Sequence, residues 1–119
     1  MTEIIKVSYE DLQKKCILLA EQIVHSGFKP SMIASITRGG LLSAYFLADI
    51  LGVKSIETIN ISSKDELISD DTKFKKDFSK FKVLIVDDLI DSGNTISYIF
   101  SHYKFNHDNT KIATIYLKK

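Results

Sequence analysis

The chain has 119 residues, of which 45% are hydrophobic, 26% are charged and one is a cysteine, and its net charge is +1. This length predicts a single domain over residues 1–119, and the composition is that of an ordinary soluble globular protein. The small net charge argues against a nucleic-acid partner, and no apolar run approaches the roughly twenty residues of a membrane span. A start of Met1-Thr2-Glu3 is unlike a signal peptide, and a lone cysteine cannot form an internal disulfide, so we expect a cytoplasmic protein.

The first predicted element is a helix from Tyr9 to about His25, capped by Ser8 and ended by Gly27 and Pro30. Its inner stripe is predicted to comprise six residues: Leu12, Cys16, Leu19, Ala20, Ile23 and Val24. Because Cys16 lies on this stripe, we interpret it as a packing residue and not as a nucleophile.

A strand over Ser31–Ile36 is predicted next, followed by the turn Thr37-Arg38-Gly39-Gly40 and a helix over Leu41–Leu51 that Gly52 closes. Glycines allow the backbone to approach a ligand, and the guanidinium of Arg38 suits phosphate oxygens. Taken alone this pattern is a weak signal, because an arginine before a glycine turn is common at protein surfaces.

The segment Ser55–Ile61 is rich in β-branched residues and predicts a strand near the edge of a sheet. From Lys64 to Lys82 six lysines and five acidic residues leave too little apolar surface for a buried element. This composition indicates a charged loop or hairpin that folds over a ligand, or alternatively a plain solvated connection.

The most informative stretch is Lys82–Thr95. Val83–Val86 predicts a parallel strand buried on both faces, and Asp87 and Asp88 stand where that strand ends. Asp91 follows, and Ser92-Gly93-Asn94-Thr95 then turns the chain into a helix whose inner face holds Ile96, Ile99, Phe100 and Tyr103.

The order of these features predicts a sugar-phosphate site: a strand comes first, then an acidic edge, then a turn of small residues, and then the first turn of a helix. The free amides of a first helical turn bind phosphate, Gly93 permits close approach, and Ser92 and Thr95 add hydroxyl donors. Carboxylates beside a phosphate must face sugar hydroxyls or a hydrated Mg²⁺ ion. The alternative is that the aspartates only solubilise a strand end and cap a helix. A Walker-type loop is excluded by its missing Gly-x-x-x-x-Gly-Lys pattern, and a phosphoacceptor domain would not explain the turn.

Lys111–Leu117 predicts a last strand, after which Lys118 and Lys119 follow. The alternation of strands and helices predicts an α/β fold with a mostly parallel sheet flanked by helices. Both predicted turns follow the carboxyl ends of strands, which is the edge where such sheets bind ligands.

Val83–Thr95 resembles the thirteen-residue signature of the type I phosphoribosyltransferases, which bind 5-phosphoribosyl-1-pyrophosphate (PRPP). Thr37–Leu41 resembles the Ser-Arg-Gly-Gly-Leu pyrophosphate loop of the bacterial xanthine-guanine type, and the resemblance runs from about Tyr9 to Lys118. It implies a Rossmann-like phosphoribosyltransferase core and a transferase that replaces the pyrophosphate of PRPP by a purine nitrogen.

The resemblance also implies roles for individual residues. Asp91 is the expected general base, while Arg38 and Gly39 would hold the pyrophosphate. Asp87 and Asp88 would hold the ribose and the water molecules of Mg²⁺. The expected 5′-phosphate site consists of Ser92, Gly93, Asn94 and Thr95. Lys118 aligns with a lysine that contacts the base in purine-specific members, although a solubilising terminal lysine is an equal alternative.

Two departures from the family pattern leave alternatives open. Ser63-Lys64 replaces the usual Ser-Tyr at the start of the flexible catalytic loop, and the C-terminal hood segment that completes the base site is expected to be missing. The chain is therefore expected to be an enzyme, or alternatively a non-catalytic module that binds PRPP or a nucleotide. A third alternative is a homo-oligomer, a dimer or tetramer, in which a neighbouring subunit helps to recognise the base.

Overall fold

The computed structural model describes residues 9–36, 40–64, 67–70, 72, 76–87 and 93–114. The elements in chain order are α1 (Tyr9–His25), β1 (Met32–Ile36), α2 (Gly40–Leu51), β2 (Ile56–Ile59), β3 (Ile61–Lys64), β4 (Leu67–Asp70), β5 (Val83–Asp87), α3 (Gly93–His102), a 3-10 turn (His107–Asn109) and β6 (Thr110–Thr114). No helix in the described ranges is long and apolar enough to cross a membrane.

Four strands form one parallel sheet in the order β2-β1-β5-β6. This sheet confirms the predicted α/β fold. Every residue of β1 and β5 is buried, because both strands are central and are covered on both faces. The predicted edge strand is also present as β2, although it ends at Ile59 and not at Ile61.

Each face of the sheet carries its own apolar cluster, because successive side chains of a strand point to opposite faces. Ile33 and Leu84 pack with helices α1 and α2 on one face. Ile85 packs with Ile99 of α3 and with Phe78 on the other. The core therefore consists of two apolar layers, one on each face of the sheet.

Helix α1 has the predicted bounds, and Gly27 follows it with φ +81°. The prediction for Val24 was wrong, because 63% of this residue is exposed. Adjacent helical residues point about 100° apart, so Ile23 faces the sheet while Val24 does not. Cys16 is fully buried with its Sγ 4.0 Å from the carbonyl oxygen of Ser43, and burial raises the pKa of its thiol. This position confirms Cys16 as a packing residue.

The charged segment between β2 and β5 contains a hairpin, in which β3 and β4 pair antiparallel. It also contains a buried residue that the composition did not indicate. Phe78 is 1% exposed, and its amide donates a hydrogen bond to the carbonyl oxygen of Lys104 at 2.9 Å. The composition of the segment did not indicate the burial of Phe78, because one aromatic side chain among many charged ones is enough to anchor a loop.

Candidate functional site

The carboxyl ends of all four parallel strands lie at one edge of the sheet. In the register Ser35 pairs with Val86, so Ile36 and Asp87 end neighbouring strands that are about 4.8 Å apart. Asp87 also pairs with Thr114 at the end of β6, and Ile36 pairs with Ile59. The predicted arginine turn and the predicted acidic turn are thus connected to adjacent strand ends.

Two helices begin after these strand ends, α2 at Gly40 and α3 at Gly93. The sequence placed Gly93, Asn94 and Thr95 in a turn before the helix, but in the structure they form the first turn of α3. The first amides of a helix have no partner within it and carry the positive end of its dipole. This correction therefore places the three residues where an anion would bind.

Asp87 is the predicted site residue whose side chain the structure describes. It is the last residue of β5, and only 5% of it is exposed. A buried carboxylate is costly unless it is paired, and Asp87 does have a partner. Its oxygens are of the kind that accept hydrogen bonds from sugar hydroxyls or bind the waters of Mg²⁺.

The other predicted site residues are described in part or not at all. Gly93, Asn94 and Thr95 are described as helical backbone. Six predicted residues lie outside the described residues: Arg38, Gly39, Asp88, Asp91, Ser92 and Lys118. Their flanking residues, Ile36 with Gly40 and Asp87 with Gly93, are described. Their roles remain predictions.

A metal site was predicted at Asp87 and Asp88. Within the described part of the chain no three His, Cys, Asp or Glu residues form a cluster that could hold a metal ion. Among the described residues, the carboxylate of Asp87 offers hard oxygen atoms at the sheet edge. That chemistry fits Mg²⁺, which keeps several waters and takes few protein carboxylates beside substrate phosphates.

The sequence did not predict a polar cluster beside the hairpin. Asp70, the last residue of β4, accepts hydrogen bonds on Oδ2 from the hydroxyls of Tyr103 at 2.8 Å and Tyr98 at 3.2 Å. Its Oδ1 accepts a hydrogen bond from the amide of Thr72 at 3.0 Å. One carboxylate therefore joins the hairpin to α3, which carries Tyr98, and to Tyr103 just after it.

The hydrogen bonds of this cluster shift the pKa of two groups. Partial burial raises the pKa of Asp70, but the hydrogen bonds from Thr72, Tyr103 and Tyr98 outweigh it and lower the pKa from 3.8 to about 2. Burial, together with the charge of Asp70, raises the pKa of Tyr103 from 10.0 to about 12. Both shifts favour a charged carboxylate beside a neutral phenol.

One signal in the sequence could have indicated this cluster. Tyr103 was assigned to the inner face of the helix as an apolar residue, yet a buried tyrosine hydroxyl usually finds a hydrogen-bond partner. The partner itself could not be predicted, because Asp70 lies 33 residues away along the chain.

A family model described as the phosphoribosyl transferase domain matches residues 8–118. Two curated relatives are both named xanthine-guanine phosphoribosyltransferase. The protein from Chromohalobacter salexigens is 35% identical over 91 residues, which are 75% of this chain and 55% of that protein. The protein from Idiomarina loihiensis is 29% identical over 117 residues, which are 94% of this chain and 70% of that protein. The chain thus matches little more than half the length of the first relative.

Among solved structures, the chain is similar to a purine phosphoribosyltransferase from Pyrococcus horikoshii. The TM-score is 0.72 at 25% identity, and the similarity covers 91% of this chain and 73% of that protein.

Proposed function

Because the chain belongs to the phosphoribosyl transferase domain family, we propose that it transfers the 5-phosphoribosyl group of PRPP to a purine base and releases pyrophosphate. The observation that carries this proposal is the shared sheet edge at which β1 and β5 end and after which α2 and α3 begin. Two helix amino ends follow the strands of that edge, which suits the two phosphate-bearing ends of one ligand, and Asp87 ends β5 at the same edge. The names of the relatives support a purine acceptor.

In the proposed reaction a ring nitrogen of the base attacks C1 of the ribose. The C1–oxygen bond breaks, and its electron pair leaves with pyrophosphate. The transition state resembles an oxocarbenium ion, so the protein must orient the ribose and stabilise the leaving group. Asp91 takes the proton from the attacking nitrogen, and Arg38 with Gly39 holds the pyrophosphate.

The first turn of α3 holds the 5′-phosphate in this proposal. The amides of Gly93, Asn94 and Thr95 donate to its oxygens, and Ser92 adds a hydroxyl. Asp87 and Asp88 accept hydrogen bonds from the ribose hydroxyls and would hold Mg²⁺ through its water molecules. Bound there, Mg²⁺ would neutralise charge on the pyrophosphate. Lys118 donates to the exocyclic oxygen of the base.

We also propose that residues 1–119 act as one phosphoribosyltransferase-like domain in a homo-oligomer in the cytoplasm. The two apolar clusters on opposite faces of one sheet support a single domain. Helix α2 exposes Leu41, Leu42 and Tyr45 as neighbours on its outer surface, and such a surface favours burial against a second copy. The unpaired, buried Cys16 fits a reducing compartment.

The test is pyrophosphate release from PRPP with Mg²⁺ and a panel of purine and pyrimidine bases. We expect release that depends on a purine and falls by at least about a hundredfold in Asp91→Asn, because general base catalysis typically contributes that much. Asp77→Asn is the matched control, since Asp77 is exposed and bonds only to Ser79 in the hydrogen bonds described for it.

Two results would contradict the proposal. One is the absence of release with every base while PRPP still binds in calorimetry, which would leave a binding module. The other is equal release by the wild type and Asp91→Asn.

A further inference from the structure

The hydrogen bonds of Asp70 lie at the base of the hairpin and not at its tip. In the hairpin register Asp70 pairs with Ile61, the first residue of β3. Just outside this pair the amide of Asn60 donates to the hydroxyl oxygen of Thr72 at 2.9 Å. Because Ile59 ends β2, this base stands beside the sheet edge that forms the candidate site.

The other side of the cluster is helix α3. Tyr98 lies five residues after Gly93, which is about 7.5 Å along the helix axis. Tyr103 follows the helix, and its amide donates to the carbonyl oxygen of Ile99 at 2.9 Å. Ile61, Ile99 and Tyr103 belong to one apolar cluster. The carboxylate of Asp70 therefore joins the hairpin to α3 beside an apolar cluster to which both contribute.

We infer that Asp70 is a positioning residue for the phosphate-binding turn, since its bonds to Tyr98 and Tyr103 fix helix α3 against the hairpin base. A helix moves as a rigid rod over so short a length, so its orientation sets where the amides of its first turn point. Hydrogen bonds to a charged group are the strong ones among side-chain contacts, and this carboxylate accepts them from Thr72, Tyr98 and Tyr103. The expected effect on KM rests on the proposed function. The claim that Asp70 fixes α3 against the hairpin base does not.

We expect that loss of the Asp70 hydrogen bonds raises KM for PRPP and leaves kcat unchanged. The 5′-phosphate of PRPP takes no part in bond making or breaking, and we take its binding by the first turn of α3 to be the same in the ground state and in the transition state. Loss of such uniform binding raises KM and leaves kcat unchanged. A residue that served only to stabilise the fold would instead lower the fraction of active enzyme, which lowers kcat at constant KM.

The test uses Asp70→Asn, Tyr98→Phe and Tyr103→Phe, with Asp77→Asn as the matched control in the same segment. The phenylalanine variants keep each ring and remove one hydroxyl, so they test the cluster even where Asp70→Asn folds poorly. Amide hydrogen exchange of β3 and β4 and ¹³Cζ-tyrosine NMR report on the cluster without any substrate. KM for PRPP and kcat, measured with the preferred base, report on the phosphate turn.

We expect hairpin amides to exchange roughly tenfold faster in Asp70→Asn, in line with a lost charge-assisted hydrogen bond. The pKa of Tyr103 should fall from about 12 towards its ordinary 10.0. KM for PRPP should rise about tenfold at unchanged kcat, and Asp77→Asn should match the wild type in every measurement.

If amide exchange and the Tyr103 titration were both unchanged in Asp70→Asn, Asp70 would not fix helix α3 against the hairpin base. Altered exchange with an unchanged KM, in a wild type that binds PRPP, would overturn the positioning role while the proposed function stood. If the wild type shows no transfer at all, the proposed function fails, and the exchange and NMR measurements still decide whether Asp70 fixes the hairpin.

Discussion

Phe78 and Phe105 stack face to face, with ring centroids 4.8 Å apart and ring planes within 3° of parallel. Phe78 belongs to the charged segment before β5, and Phe105 follows helix α3. The amide of Phe78 also donates to the carbonyl oxygen of Lys104. A segment whose composition predicts a charged loop or a solvated connection is thus anchored to the core through Phe78.

We expect Phe78→Ala to lower the free energy of unfolding by about 3–5 kcal/mol, because it removes a fully buried ring and leaves a cavity. Phe81→Ala is the control in the same segment. Phe81 is only partly buried, and its ring contacts the Lys76 ammonium at 5.1 Å, so its loss should cost clearly less. Urea denaturation of both variants measures the difference. Equal losses would show that Phe78 does not anchor the segment.

The Asp70 cluster predicts a dependence of stability on pH. The pKa of Asp70 is lowered in the folded state, so its contribution is present above pH 3.8 and is lost as the pH falls through about 2. Because the carboxylate is partly solvated, we expect about 1 kcal/mol after screening. The difference in unfolding free energy between the wild type and Asp70→Asn should be constant near neutral pH and shrink between pH 3.8 and about 2.

Tyr103 predicts the corresponding change at alkaline pH. Its pKa is raised in the folded state, so its contribution is complete below pH 10.0 and is lost as the pH rises through about 12. The difference in unfolding free energy between the wild type and Tyr103→Phe should therefore shrink only between pH 10.0 and about 12. A difference that already changes between pH 6 and 8 would contradict both assignments.

The exposed surface of α2 predicts self-association. Leu42→Glu should convert the proposed oligomer to a monomer, because a carboxylate would be buried without a partner in the interface. Leu18→Glu is the control, since Leu18 is exposed on α1 and lies outside the Leu41, Leu42 and Tyr45 surface. Analytical ultracentrifugation measures the mass. A monomeric wild type, or equal dissociation of both variants, would refute the interface.

The parts of the fold that follow from local patterns were predictable. The continuous apolar run of β5 gave a buried strand, and the apolar period of α1 gave its bounds. Val24 was misassigned because periodicity marks the centre of a helix stripe better than its edges. The burial of Phe78 depends on contacts with Tyr103 and Phe105, which lie beyond β5, and no local pattern encodes these contacts.

The candidate site likewise has a part that could be predicted from the sequence and a part that could not. A strand end followed by a helix start is a local pattern, so Asp87 and the first turn of α3 could be located from the sequence. The bonds that join Asp70 to Tyr98 and Tyr103 cross 28 and 33 residues. They require that two separate elements be packed first, and only the structure shows that packing.

The central pair of strands has a consequence for the order of events during synthesis. The Ser31 hydroxyl oxygen accepts a hydrogen bond from the amide of Lys82 at 3.1 Å, across 51 residues, where β1 and β5 start side by side. Closing so long a loop is slow compared with forming a helix. A nascent chain on the ribosome can therefore form α1 and α2 early, yet it cannot bring the two halves of the ligand edge together until β5 has emerged. Under the proposed function, PRPP binding would then favour chains in which both halves of this edge have come together.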